Sequence, residues 1–164
     1  MEPVKIEPDF DEKPKILYVD DEENNLNSFK AAFRRQFDIS IAINANEALK
    51  LIDENEAPFE VVVSDQRMPE ITGVEFLETI KTSSPKSVRM LLTGFADLQA
   101  VMDAINRGEV YRYMTKPWDE AYLKRTINDG VELFRLRERN QFKTNTLLRV
   151  NEQLEFLARQ GLIS

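Results

Sequence analysis

The sequence predicts an α/β protein: a five-stranded parallel sheet, doubly wound, with helices on both faces. Three observations carry this. Short apolar or β-branched runs recur five times, at 15–20, 37–43, 59–64, 88–92 and 110–114. Each run is followed, after a short link, by a segment with helical apolar spacing, and that alternation implies a parallel sheet. Polar reactive residues stand at or just after the ends of four of the runs: Asp20–Asp21, Asp65, Thr93 and Lys116. That edge of an open α/β sheet is where ligands bind. Five units in roughly 115 residues suit the flavodoxin-like (βα)5 strand order 2-1-3-4-5 better than a larger six-stranded sheet.

Residues 15–20 (KILYVD) read as a short buried strand. Leu26, Phe29 and Phe33 then mark a helix over 24–36. Ile39, Ile41 and Ile43 alternate strictly, which predicts an edge strand with one buried face. Asn44 with Glu47, and Thr72 with Glu75, are capping boxes that open helices, the second over 73–81. The run FEVVVS at 59–64 is the best candidate for a central strand. The fourth strand and helix fall at 88–92 and 97–107, the fifth strand at 110–114, and a last helix starts near Asp119.

Residues 1–14, with three prolines and five acidic residues, read as a flexible tail; 15–129 form the α/β domain and 130–164 a helical extension. In that extension Leu133, Asn140, Leu147 and Leu154 fall on one seam position and Leu136, Lys143, Val150 and Leu157 on the other. This 3.5-residue period predicts a parallel two-stranded coiled coil that makes a homodimer through 131–160, with Asn140 setting the register. The other reading is one amphipathic helix folded back on its own domain. Gly130 at the junction reads as a soft point, because glycine weakens a helix interior.

The chain has 164 residues and a net charge of −7, which argues against direct nucleic-acid binding. It has neither cysteine nor histidine, so disulfides, thiolate metal sites and histidine catalysis are excluded. No apolar stretch reaches the ~18–20 residues of a membrane span. No signal core precedes the first strand, and the expected compartment is the cytoplasm.

Asp20, Asp21, Asp65, Thr93 and Lys116 would all open onto one crevice. Three carboxylates there repel each other unless a cation intervenes, and Mg²⁺ or Mn²⁺ suits this donor set. Lys116 supplies a point charge for a phosphoryl oxygen, and Thr93 a hydroxyl donor. A carboxylate beside the metal can act as a nucleophile and become an acyl phosphate. Each residue alone has a plainer explanation: a helix cap for Asp20 or Asp21, a turn for Asp65 or Thr93, a solvated surface lysine for Lys116.

The stretches ILYVDDE (16–22), VVVSDQRMPEITGVEFL (61–77), RMLLTGFAD (89–97) and VYRYMTKPW (110–118) resemble the receiver domain of bacterial two-component response regulators. The resemblance covers 15 to about 129. It implies that Asp65 is phosphorylated by a histidine kinase or phosphotransfer protein, and that Asp20, Asp21, Asp65 and the backbone carbonyl of Arg67 hold the metal. It further implies that Lys116 contacts the phosphoryl group, that Thr93 and Tyr113 are switch residues, and that Lys116–Pro117 is cis. Without the resemblance, Tyr113 reads as a half-buried strand tyrosine. Arg67 and Phe95, each two residues past a site position, read as shields that predict a long-lived phosphoaspartate.

The function expected is therefore a non-enzymatic signalling receiver. Its signal would pass through helix 4, strand 5 and helix 5 into the C-terminal helix, toward an output domain outside this chain or a protein partner. A non-phosphorylated dimerisation or adaptor module with the same fold is the alternative. A flavin-binding protein fits poorly, since the acidic loop Asp20–Glu23 repels a phosphate.

Overall fold

The computed structural model describes residues 8–10, 12–107 and 109–161, without the side chain of Phe95. It divides into two compact units, residues 12–134 and residues 1–11 with 135–164. The first is the α/β unit. Its elements run β1 (Lys15–Val19), α1 (Glu23–Phe33), β2 (Asp38–Ala42), α2 (Ala45–Glu54), β3 (Val61–Asp65), α3 (Gly73–Ser83), β4 (Val88–Thr93), a 3₁₀ turn (Phe95–Asp97), α4 (Leu98–Asn106) and β5 (Arg112–Thr115). A final helix, α5, spans Glu120–Arg159.

All strands pair in parallel, in the expected order β2-β1-β3-β4-β5. β3 is central and entirely buried, which explains its unbroken β-branched run. Period two divides its residues between two cores. On one face Leu17, Val19, Val62 and Leu91 pack with Ile52 of α2, Phe76, Leu77 and Ile80 of α3, and Val101 of α4. On the other, Tyr18 stacks on Phe29 with ring centroids 4.1 Å apart, and Trp118 packs edge-on against Phe29. A Cβ on Gly130 of α5 would press on this face at Met90, Val61 and Val88. Gly130, a soft point by propensity, thus has a packing role: it lets the helix axis approach the sheet closely.

The caps follow the sequence. Asn44 accepts from the Glu47 amide at 2.8 Å and Thr72 from the Glu75 amide at 3.2 Å. Two expectations need correction. β2 is an edge strand, but its burial does not alternate cleanly: Ile39 is buried, Ile41 half-buried and Ile43 exposed, while Ala42 is buried. An edge strand of a doubly wound sheet is an edge only in the sheet plane, and α1 and α2 both touch β2. β5 begins at Arg112, later than expected; Val110 is buried in the core ahead of the strand.

In the second unit, Phe10 lies beneath two guanidinium groups of α5, Arg135 at 4.9 Å and Arg139 at 5.4 Å from the ring centroid. Along the same stretch Leu136, Leu147, Val150 and Leu154, four of the heptad seam residues, are exposed. Among the described residues no helix is long and apolar enough to cross a membrane.

Candidate functional site

The parallel order brings the carboxyl ends of β1 and β3 side by side, and with them Asp20, Asp21 and Asp65. One carboxylate oxygen from each lies within 4.8 Å of the others. Lys116, in the β5–α5 loop, spans two of them, with Nζ 3.0 Å from Asp65 Oδ1 and 3.6 Å from Asp20 Oδ2. The Lys116 amide donates to the Thr93 carbonyl at 2.9 Å, which ties this loop to the end of β4. The Lys116–Pro117 bond is cis.

Asp20 is wholly buried and fully engaged. It accepts from the Tyr18 hydroxyl at 2.6 Å, the Glu22 amide at 2.9 Å and the Asn25 side-chain amide at 3.1 Å. Burial, reinforced by Asp20, pushes the Tyr18 hydroxyl well above the ordinary tyrosine range, so it stays a neutral donor. Burial pushes the Asp65 carboxyl up; the hydrogen bond and charge of Lys116 oppose this, and the charge of Asp20 adds to it. For Lys116, burial works downward, but Asp65 and then Asp20 outweigh it, so its ammonium is held above the usual value.

Two of the three carboxylates share the Lys116 ammonium, and the charge of the cluster remains unbalanced. A hard divalent cation of the Mg²⁺ type takes oxygen donors of this kind and would remove the repulsion. The donor set fits such an ion.

The loop after Asp65 is held by a tight approach of α3. A Cβ on Gly73 would run into the Asp65 carbonyl oxygen and crowd Leu91, so only glycine lets the helix start there. Gln66 fastens the junction: its carbonyl accepts from the Gly73 amide at 2.9 Å, and its side-chain oxygen from the Val74 amide at 3.0 Å.

The remaining expected residues are placed as follows. Thr93 is buried at the end of β4, one residue beyond the register partner of Asp65, with its hydroxyl donating to the Gly94 carbonyl at 3.2 Å. Tyr113 pairs with Leu91, and Thr115 with Thr93, so Tyr113 shares the Thr93 sheet face one pleat away. It is exposed, in a shallow cavity of about 410 Å³ with Ile105, Tyr111 and Tyr122. The Arg67 side chain turns to Asp97, Nε to Oδ2 2.9 Å, rather than over Asp65. The side chain of Phe95 lies outside the described residues. Sequence reasoning missed Tyr18, Asn25, Gln66, Gly73 and Asp97. Tyr18 had a signal, since a residue two before Asp20 on a strand shares its face; the others depend on loop paths.

A doubly wound sheet of order 2-1-3-4-5 with carboxylates and an ammonium gathered at its carboxyl edge has the flavodoxin-like architecture with a polar edge pocket. The family model for the response regulator receiver domain matches residues 16–128, and the chain belongs to that family. Among curated proteins it resembles the hydrogenase transcriptional regulatory protein HoxA of Bradyrhizobium diazoefficiens, at 32% identity over 77% of this chain and 26% of that protein. The chain thus spans about a quarter of the length of the curated relatives it matches. Among solved structures, a chain described as adenylate cyclase from Rhodopirellula baltica is 33% identical with a TM-score of 0.76, covering 84% of this chain and 98% of that one. A response regulator receiver domain protein from Clostridium thermocellum is 30% identical with a TM-score of 0.71, covering 75% and 98%.

Proposed function

We propose that this receiver domain accepts a phosphoryl group on Asp65 from a histidine kinase or phosphotransfer protein. The observation that carries the reading is the Lys116 ammonium 3.0 Å from Asp65, beside two further carboxylates. A lysine placed there neutralises charge at the oxygen that must approach a phosphoryl dianion. In the step, an Asp65 oxygen bonds to phosphorus while the phosphorus–nitrogen bond to the donor imidazole breaks. The electron pair leaves with the ring nitrogen, and Asp65 becomes an acyl phosphate. Asp20, Asp21, Asp65 and the Arg67 carbonyl would hold Mg²⁺ or Mn²⁺, which supplies charge neutralisation at the phosphoryl oxygens when bound.

Thr93 then exchanges its bond to the Gly94 carbonyl for a phosphoryl oxygen, and Tyr113, on the same sheet face, moves inward. Residues 15–129 serve as the receiver. Residues 130–164 serve as a signalling segment that pairs with a second copy through the 131–160 heptads. The output lies with another domain or a partner, and the phosphodonor places the reaction in the cytoplasm.

Incubation with acetyl phosphate and Mg²⁺ should add the mass of one phosphoryl group to the wild type and none to Asp65→Asn. A wild type that stays unmodified would overturn the reading in favour of a non-phosphorylated adaptor.

A further inference from the structure

Asp97 is the N-cap residue of α4, yet its side chain makes no cap hydrogen bond. The N-caps of α2 and α3, Asn44 and Thr72, both do. Aspartate is among the strongest capping residues, yet here its carboxylate is engaged elsewhere. It is diverted to Arg67, Nε to Oδ2 2.9 Å, across from the β3–α3 loop. Asp97 closes the 3₁₀ turn at φ −107°, ψ 11°, its amide donating to the Gly94 carbonyl at 3.3 Å. Asn44 and Thr72 hold instead the extended geometry of a capping residue, so capping by Asp97 also requires it to leave that turn.

Two features make this ion pair exchangeable. Arg67 is largely exposed, and such pairs are weak and screened. Arg67 also stands two residues from Asp65 and lines, with Asp21 and Asp97, a cavity of about 370 Å³. Its guanidinium is held above the usual value by Asp97 first, and it also feels the charge of Asp65. A phosphoryl group on Asp65 would bring about −1.5 to −2 charges and three acceptor oxygens against the single charge of Asp97. Guanidinium groups bind such oxygens in bidentate fashion.

We infer that Arg67 and Asp97 form a partner-exchange switch: phosphorylation of Asp65 draws Arg67 off Asp97, and the freed Asp97 carboxylate caps α4. No covalent bond or proton changes hands in the exchange. Its trigger rests on the proposed phosphorylation, but its capping half does not.

Hydrogen exchange of the amides of residues 98–101 tests both halves. In unphosphorylated Arg67→Ala, Asp97 is already free, and these amides should exchange about 2- to 30-fold more slowly than in wild type, the span of a capping contribution. Asp97→Ala should show no such slowing in either state. Wild type should slow only after acetyl phosphate treatment, in proportion to the measured mass gain. Arg67→Ala exchanging like wild type, or phosphorylated wild type with unslowed amides, would overturn the switch. Wild type that gains no mass would sink the phosphorylation reading instead, while Arg67→Ala still decides the capping.

Discussion

Phe29, Phe76, Leu77 and Ile80 of the α/β unit are fully buried by residues of the same chain, whereas Leu147, Leu148, Val150, Leu154 and Phe156 of α5 stand between 44% and 64% exposed. The first region buries these side chains in its own core. In the second, Leu147, Val150 and Leu154 stand at heptad spacing, with Leu148 and Phe156 beside them, all exposed. Scattered exposed leucines are ordinary on a protein surface, but a seam of them at 3.5-residue spacing is the pattern of a helix made for a partner helix.

The largest effect falls on the self-contained region. Phe76→Ala should cost about 3–5 kcal/mol in a denaturant melt, whereas Leu154→Ala should leave the same transition within about 0.5 kcal/mol when the chain is dilute enough to be a monomer. A comparable loss from Leu154→Ala would break the contrast.

Next comes the acidic site. Mg²⁺ at a hundredfold excess over its dissociation constant should stabilise the wild type by about 2.7 kcal/mol, and Asp65→Asn should lose most of that gain. The carboxyl of Asp65 is raised in the folded, metal-free protein, so the folded form holds its proton more readily than the unfolded chain. Stability therefore rises as pH falls through that raised value and is lower above it. Without metal, Asp65→Asn should accordingly melt higher than wild type at neutral pH, with the difference shrinking in acid. Lys116 is also raised, and its contribution is complete below the ordinary lysine value and lost as pH climbs through its own. That window lies above the neutral-to-acid range, and the pairing of Lys116 with Asp65 is already contained in the net upward shift of Asp65. A lower melting temperature for metal-free Asp65→Asn would contradict the electrostatic account.

The smallest effect sharpens the other side of the contrast. Light scattering of the full chain should give twice the chain mass at micromolar concentration. Leu147→Ala should weaken that association by about 2 kcal/mol for each buried side chain lost. A full chain that scatters as a monomer would end the coiled-coil reading.

Much of the α/β region was legible because it repeats one local rule. An apolar run, a capping residue and an amphipathic segment each report their own structure, and five repetitions leave few topologies open. The carboxylates and Lys116 could be brought together on paper because strand order alone makes strand ends neighbours. Harder to read were contacts set by loop paths. Nothing local says that Asp97 will turn from its helix to Arg67, or that Asn25 will reach Asp20. Ala42 is buried although strict alternation of Ile39, Ile41 and Ile43 implies one covered face, because α1 and α2 both touch β2. Gly130 looked like weakness by propensity; only packing against Met90 and Val61 gives it a purpose.

The central claim is that Asp65 is the phosphoryl acceptor. Borohydride reduces an aspartyl phosphate to homoserine, so it marks the modified residue permanently. After acetyl phosphate and Mg²⁺, followed by borohydride, peptide mass mapping should find homoserine at position 65 and aspartate intact at 20 and 21. Homoserine at another position, or none in a protein that has gained the phosphoryl mass, would contradict the account.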